Sequence, residues 1–414
     1  MNIYSIPAKP AQLYIDKVQN KAAIYNPLSE KGILVAGMGV ARLLELCDGS
    51  QNILSIAKRM SLQNKDAVEI IKKLVDHKIL DVPGYRALTT PKKEPGLFIW
   101  VHTSNVCTLA CRYCYIHNDR TIMRIETAKK LVDAIYRSIA MHKEVTGFMF
   151  VLAGGEPFLN FGVVREILNY LQTQAQHSSI KQISTIISNG TILNSEIIAL
   201  LKHHRAGLCI SIDGLDDMNR NRVFRNGRNS SKTVIRNIDK LLEAGVRPTV
   251  LITVTPENIN GLVAFVKYLL EREIGFALSL VRDLKMTINL IKYTDKVIAV
   301  LDKCYDLMEE MLPKCPYSLS HKFGTISFLD YQRDRWCELG RNSIAISPDG
   351  KVYLCQTDIG WKPAVATVED KDILAKVRKQ TAYPELNKYK SVDSYDGCSL
   401  CSWRYQCGGG CPLH

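Results

Sequence analysis

Cys107, Cys111 and Cys114 fall within eight residues of one another in the stretch "CTLACRYCYIHN", Cys107–Asn118. Thiolates of this kind bind zinc or iron–sulfur clusters. A structural zinc site is closed by four ligands, and His117 would complete a Cys3His set. The other reading leaves the fourth position open. A cube of iron and sulfide held by three cysteines keeps one iron free to bind and activate a small molecule, as an open catalytic zinc does for water.

The chain has thirteen cysteines, and six more lie near its C-terminal end: Cys337, Cys355, Cys398, Cys401, Cys407 and Cys411. Twelve residues separate Cys337 from Gly350 and four separate Gly350 from Cys355; Cys398-x2-Cys401-x5-Cys407-x3-Cys411 follows. In a reducing compartment such clusters are metal ligands rather than disulfides. A zinc ribbon or knuckle and an iron–sulfur site both fit the spacing. Cys47, Cys209, Cys304 and Cys315 stand apart and are read as packing residues.

The elements that must position these residues are legible in the apolar pattern. From residue 97 onward six β-branched-rich runs alternate with helical stretches: "LFIWVHTS", "GFMFVLAG", "ISTIISNG", "AGLCISID", "RPTVLITVTP" and "IGFALSLVRD". Such alternation predicts parallel strands with helical crossovers. Six units are too few for a closed eight-stranded barrel, so an open, partial (β/α)6 barrel of the TIM type is expected. Chemistry in such barrels sits at the C-terminal ends of the strands. The cysteine stretch follows strand one, "GGEP" ends strand two, "SNG" strand three and "SIDG" strand four. "TVTP" and "VRD" end the last two.

These motifs in this order resemble the radical S-adenosylmethionine (SAM) superfamily over about residues 97–310. The resemblance implies that Cys107, Cys111 and Cys114 hold a 4Fe–4S cluster. It implies that Gly154, Gly155, Glu156 and Pro157 hold the methionine amino group of S-adenosylmethionine. Ser188 and Asn189, then Ser211 and Asp213, match its ribose and carboxylate contacts, and Tyr113 the aromatic that packs on its adenine. The implied chemistry is reductive cleavage of the sulfonium to a 5′-deoxyadenosyl radical, with the barrel excluding water and aiming the radical. The C-terminal cysteines resemble the SPASM extension, which carries auxiliary 4Fe–4S clusters. By that likeness Cys337, Cys355 and Cys411 bind one cluster and Cys398, Cys401 and Cys407 the other. The second is usually completed by a later cysteine, and none follows Cys411 before His414. The expectation is a truncated C-terminus or another ligand. For the first, Tyr331 stands where some relatives have a cysteine, and Cys315 is a poor substitute. Asp358 and Glu338 are the candidate proton acceptors.

Residues 1–86 contain two strand candidates, "QLYIDKV" and "AAIYN", then three helical segments, "GVARLLELC", "NILSIAKRM" and "NKDAVEIIKKLVDH", and a closing strand, "KILDVPG". Val68, Ile71, Leu74 and Val75 share one face of the third helix. This winged-helix-like unit, most of all "LLELCDGSQNILSIAKRM", resembles a PqqD-like element that binds the leader of a ribosomally made precursor peptide. Residues 87–96 are the expected linker, 97–312 the radical SAM core and 331–414 a separate SPASM-type region with little core of its own. The fold class is therefore α/β, a partial barrel flanked by a winged-helix-like domain and a Cys-rich iron–sulfur region.

The net charge of +13 favours acidic partners, and "NRNRVFRNGR" carries part of it. No apolar run is long enough to span a bilayer and the start lacks a secretory pattern, so a cytoplasmic protein without membrane contact is expected. Leader element, radical core and auxiliary clusters together describe a peptide maturase that oxidises or crosslinks its substrate through thioether, C–C or ether bonds. Its partners are the precursor peptide and a one-electron reductant such as flavodoxin or ferredoxin; nucleic acid is not expected. A sulfatase-maturing, formylglycine-generating enzyme is the alternative. A non-catalytic winged-helix DNA-binding regulator with a redox cluster is the alternative of another class.

Overall fold

A computed structural model describes residues 1–9, 13–18, 20–26, 33–83, 96–117, 119–282, 291–311, 335, 337–379, 391–401 and 404–411. Most of the expected linker, together with Cys315 and Tyr331, lies outside them. The chain divides into two compact units, one of residues 1–93, 326–336 and 389–411, the other of 94–325, 337–388 and 412–414.

In the first unit, β1 (Tyr14–Val18), β2 (Lys21–Tyr25) and β3 (Ile33–Gly37) form an antiparallel sheet in that order. The expected hairpin is present as β1 and β2, with Tyr14 opposite Tyr25. The third strand comes from "ILVAG" and takes the far edge of β2. The expected closing strand "KILDVPG" does not form: among its described residues, 78–83, it contributes only a single bridge, Asp81 to Ala8. Its Ile79, Leu80 and Val82 are instead buried plugs beneath the helices. Those helices are α1 (Met38–Leu46), α2 (Ile53–Arg59) and α3 (Asn64–Asp76). The Asn52 side chain caps α2 by accepting from the Ser55 N–H. Ala67, Ile71, Leu74 and Val75 of α3 are buried against Leu43, Leu44, Ile53 and Ile56, and Val68 packs at the margin.

The second unit is built on nine strands in the order β12-β11-β10-β4-β5-β6-β7-β8-β9. Six of them are the runs read from the sequence: β4 (Leu97–Ser104), β5 (Gly147–Gly154), β6 (Lys181–Ser188), β7 (Gly207–Ser211), β8 (Thr249–Val254) and β9 (Gly275–Leu280). Neighbours pair in parallel throughout. The helical crossovers are α4 (Ile125–Met141), α5 (Phe161–Gln176), α6 (Ser195–His204), α7 (Ser231–Glu243) and α8 (Leu262–Glu271), with α9 (Thr294–Met311) following β9. Alternate strand residues such as Leu97, Ile99, Val101, Phe148, Phe150 and Leu152 join the helices in one large core. Phe98, Trp100 and His102 point to the opposite, inner face, because side chains alternate along a strand. The sheet order is linear, so the barrel is open, as expected.

Residues 337–388 do not stand apart from this sheet. Strand β10 (Ser343–Ile346) pairs in parallel with β4, and β11 (Lys351–Tyr353) and β12 (Ala366–Thr367) continue outward antiparallel. The reason is apolar: Ile344, Ile346, Val352 and, from α10 (Ile373–Lys379), Ile373, Leu374 and Val377 complete the main core. Each fully buried side chain of this size contributes roughly 1.5–3 kcal/mol. Residues 391–411 belong to the first unit, where Val392 is buried and Arg404, opening α11 (Arg404–Cys407), pairs with Asp393 at 3.0 Å.

Candidate active site

After β4 the chain leaves the sheet and returns at Met123. The excursion is stapled at its base: the Asn105 N–H donates to the Thr121 carbonyl at 2.9 Å and the Met123 N–H to that of Thr103 at 3.0 Å. Asn105 Nδ2 also donates to Asp119 Oδ1, 2.9 Å, so the loop is closed by side chains as well. Cys107, Cys111 and Cys114 ride on this loop, all half-buried.

The end of β5 is locked to the start of that loop through the main chain. The Gly155 N–H donates to the Ser104 carbonyl at 2.7 Å and the Glu156 N–H to the Val106 carbonyl at 2.9 Å. Contact this close is open only to glycine: a Cβ on Gly154 would stand 2.2 Å from the Ser104 oxygen, and one on Gly155 2.2 Å from the Val106 oxygen. Gly154 also has φ +119°, which side chains disfavour. Glu156 is fully buried and reaches across to β6, accepting from the Phe158 N–H (3.1 Å), the Ser188 hydroxyl (2.9 Å) and the Asn189 N–H (2.8 Å). Burial pushes its carboxyl up to about 7, against the pull of those three donors.

Asn189 carries the connection to the cysteines. Its Nδ2 donates to Cys107 Sγ at 3.3 Å and to the Thr108 hydroxyl at 2.9 Å, while its Oδ1 accepts from Thr191. On the other side, Tyr113 donates its hydroxyl to Asp213 Oδ2. Asp213 Oδ1 accepts from Arg222 Nε at 2.9 Å and the Thr253 N–H at 3.0 Å. The Arg222 guanidinium lies 5.3 Å from the centre of the Tyr113 ring. Burial pushes the Cys111 thiol up to about 12, with Arg222 drawing it down; burial likewise raises Cys107. Thiols in such surroundings give up their protons to a cation that binds them.

The structure thus brings Cys107, Gly154, Gly155, Glu156, Pro157, Ser188 and Asn189 together, and separately Tyr113, Asp213 and Arg222. Ser211 ends β7 half-buried, two residues before Asp213. Asp213 and Glu156 are saturated by protein donors, so the acidic groups of "SIDG" and "GGEP" shape the site from behind. Three thiols carried on one loop are donors that would suit an iron–sulfur cluster. His117 packs edge-on against Trp361 (5.1 Å), and no three His, Cys, Asp or Glu side chains converge on a single-ion position among the described residues.

Cys355 precedes a single 3-10 turn, Gln356–Asp358, and its sulfur accepts from the Thr357 hydroxyl at 3.1 Å. Three residues beyond that turn, Trp361 Nε1 donates to the Tyr115 carbonyl at 2.8 Å, tying this segment to the cysteine loop. The Asp358 carboxylate pairs with Lys362 at 3.0 Å. Glu338 and Cys337 lie in the loop before β10, where the Glu338 carbonyl accepts from the N–H groups of Arg341, Asn342 and Ser343. Cys398, Cys401, Cys407 and Cys411 lie in the first unit, where the Cys401 N–H donates to the Cys398 carbonyl at 2.9 Å. Sequence reasoning missed Arg222, which sits inside a block that reads as surface charge, and Trp361, whose partner is 246 positions away.

Residues 101–269 match the model of the Radical SAM superfamily. That segment is a radical SAM domain. Domains of this superfamily use a 4Fe–4S cluster and S-adenosylmethionine, and the cysteine loop with its glycine-tight floor fits that pair. The chain is 26% identical over 289 residues to an uncharacterized protein of Methanocaldococcus jannaschii, covering 68% of this chain and 92% of that one. It is 23% identical over 334 residues to the serine-type anaerobic sulfatase-maturating enzyme of Klebsiella aerogenes, covering 74% and 77%. Its fold is similar to that of native anSMEcpe with bound AdoMet and the Cp18Cys peptide, with TM-score 0.61 and 21% identity over 77% of this chain and 89% of that one. It is also similar to Streptococcus suis SuiB bound to precursor peptide SuiA, with TM-score 0.53 and 15% identity over 98% and 96%. No helix among the described residues is long and apolar enough to cross a membrane.

Proposed function

We propose that this protein is a radical SAM peptide maturase: it holds a precursor peptide by its leader and oxidatively modifies or crosslinks the core. The observation that supports the chemistry best is the convergence of three strand ends on the cysteine loop, through Gly155 to Ser104, Glu156 to Asn189 and Asn189 to Cys107. In this reading Cys107, Cys111 and Cys114 hold the cluster. Gly154, Gly155, Pro157, Ser188, Asn189, Ser211 and Tyr113 face the cofactor, while from behind Glu156 braces Asn189 and Asp213 fixes Tyr113. When bound, the cluster and S-adenosylmethionine would supply the radical chemistry, one electron cleaving the sulfonium to methionine and a hydrogen-abstracting 5′-deoxyadenosyl group. The chain itself orients the cofactor, excludes water and keeps the radical's target in line. Cys337, Cys355, Cys398, Cys401, Cys407 and Cys411 hold auxiliary clusters. Asp358 and Glu338 are the candidate proton acceptors, and Asp358 would have to release Lys362 to serve.

The peptide part of the proposal rests on the first unit. Its three-stranded sheet ends in β3, where Val35 is 61% exposed, and a PqqD-like element takes a leader as an added strand at such an edge. Similarity to SuiB across nearly the whole chain supports the same arrangement. Formylglycine formation on a sulfatase is the second reading, favoured by the sulfatase-maturating relatives.

Anaerobic reconstitution with dithionite and S-adenosylmethionine is expected to yield 5′-deoxyadenosine and methionine, and Cys111→Ala to yield neither. Product formation by that variant would overturn the radical reading. A precursor peptide stripped of its leader is expected to bind at least about 100-fold more weakly, the scale of lost tethering. Equal binding, together with formylglycine formation on a sulfatase-derived peptide, would favour the second reading.

A further inference from the structure

Of the basic block "NRNRVFRNGR" only Arg222 has a part in the site so far, yet the block lies directly on the cysteine loop. Residues 223–229 form a tight hairpin: Val223 bridges Asn229, the Phe224 N–H donates to the Arg228 carbonyl at 2.8 Å, and Gly227 turns the tip with φ +80°. The ascending side of the hairpin lies against the loop through backbone hydrogen bonds. Leu109 bridges Phe224, the Ala110 N–H donates to the Val223 carbonyl at 2.8 Å and the Arg112 N–H to that of Asn221 at 3.1 Å. Arg225 Nε donates to the carbonyl of Cys107 itself at 2.9 Å.

The charges on this hairpin face outward. Arg220, Arg225 and Arg228 are exposed. The ion pairs of the stretch are made by Arg112 with Glu257 (3.8 Å) and by Arg222 with Asp213, so the other three have no carboxylate partner among the described residues. Asp216 and Asp217 belong to the 3-10 turn that precedes them. Arg228 is held over the Phe224 ring at 5.9 Å, which fixes where its charge stands. Exposed guanidiniums without a carboxylate partner attract acidic surfaces and speed their encounter. A peptide substrate has to reach the strand ends with a C–H bond. An electron donor needs only to stand near a cluster ligand, and the hairpin lies on the main chain of Cys107.

We propose that the hairpin bearing Arg225 and Arg228, together with Arg220 just before it, is the docking surface for an acidic one-electron donor protein, a reduced flavoprotein or iron–sulfur protein. The donor's centre is oxidised by one electron and the cluster held by the cysteine loop is reduced by one; no atom is transferred. This rests on the reading of Cys107, Cys111 and Cys114 as cluster ligands.

The test uses the full-length reconstituted holoenzyme and two reductants, fully reduced flavodoxin and the methyl viologen radical cation. The rate of cluster reduction is followed by visible bleaching and freeze-quench electron paramagnetic resonance. In the Arg220→Glu/Arg228→Glu double variant the flavodoxin rate is expected to fall about tenfold or more at low salt, with its salt dependence flattened. The viologen rate is expected to stay within about twofold, and Arg220→Lys/Arg228→Lys to keep the flavodoxin rate, as expected for steering by charge. An unchanged flavodoxin rate overturns the proposal. So does equal slowing by both reductants, which would place the hairpin's role in shaping the loop. Loss of precursor-peptide binding with the flavodoxin rate intact would make the peptide the occupant. A wild-type protein without iron–sulfur absorbance would overturn the cluster reading itself.

Discussion

Gly155→Ala isolates the contact on which the site's floor depends. Gly155 is outside the positive-φ region, so the added methyl acts by size alone. It would stand 2.2 Å from the Val106 oxygen, 2.6 Å from the Val106 carbonyl carbon and 2.8 Å from the Asn105 oxygen. All three are backbone atoms, which cannot rotate away as a side-chain tip can. Ordinary contact begins near 3.4 Å, so the first turn of the loop must retreat by more than about 1 Å. Overpacking costs about 1–3 kcal/mol. The two hydrogen bonds that tie this glycine and Glu156 to the loop add about 1 kcal/mol each if broken. The total, about 3–5 kcal/mol, is below the 5–15 kcal/mol typical of whole domains. The domain should therefore fold while Cys107, next to Val106, moves off its position. Changes to groups that orient metal ligands typically cost 10–100-fold in affinity. The expected result is a variant with native circular dichroism that retains the cluster at least about tenfold less well under chelator challenge. Gly162→Ala is the control: its Cβ meets nothing within 4 Å, and in α5 it should gain up to about 1 kcal/mol. Equal cluster retention by Gly155→Ala and Gly162→Ala would refute the reasoning.

Glu156 should make apoprotein stability depend on pH. Its folded value, about 7, lies above the ordinary 4.5, so the native state holds the proton more tightly. That contribution is complete below about pH 4.5 and is lost as pH rises through about 7, with a slope of at most about 1.4 kcal/mol per pH unit. Urea unfolding between these limits should show it, and Glu156→Gln should flatten it; an unaltered slope would assign the dependence elsewhere. Arg222→Ala leaves the Asp213 carboxylate buried without its guanidinium and should destabilise by about 3–5 kcal/mol in the same assay. A loss below about 1 kcal/mol, the scale of surface pairs, would show that the pair is solvated. Cys401→Ala should lower iron and sulfide content while leaving zinc at background in metal analysis, and a fall in zinc alone would make the C-terminal cysteines a zinc site.

The sequence by itself determined the six parallel strands and the places where they end. Short continuous apolar runs separated by helical stretches admit few other arrangements, and β4 and β5 begin and end where "LFIWVHTS" and "GFMFVLAG" do. The cysteine loop and the glycines of "GGEP" were legible because thiol spacing and glycine pairs are local. The third strand of the first unit and the joining of residues 337–388 to the barrel sheet were not. "ILVAG" and "SIAI" are strands only because β2 and β4 offer them a free edge, a condition set far away in the chain. The same holds for Arg222. Nothing local separates it from Arg220, Arg225 and Arg228, and only the fold buries it on Asp213 while leaving the other three in water. Local sequence sets what a residue can do chemically. Burial and partner, which decide whether a charge is a structural pin or an open surface, are long-range properties.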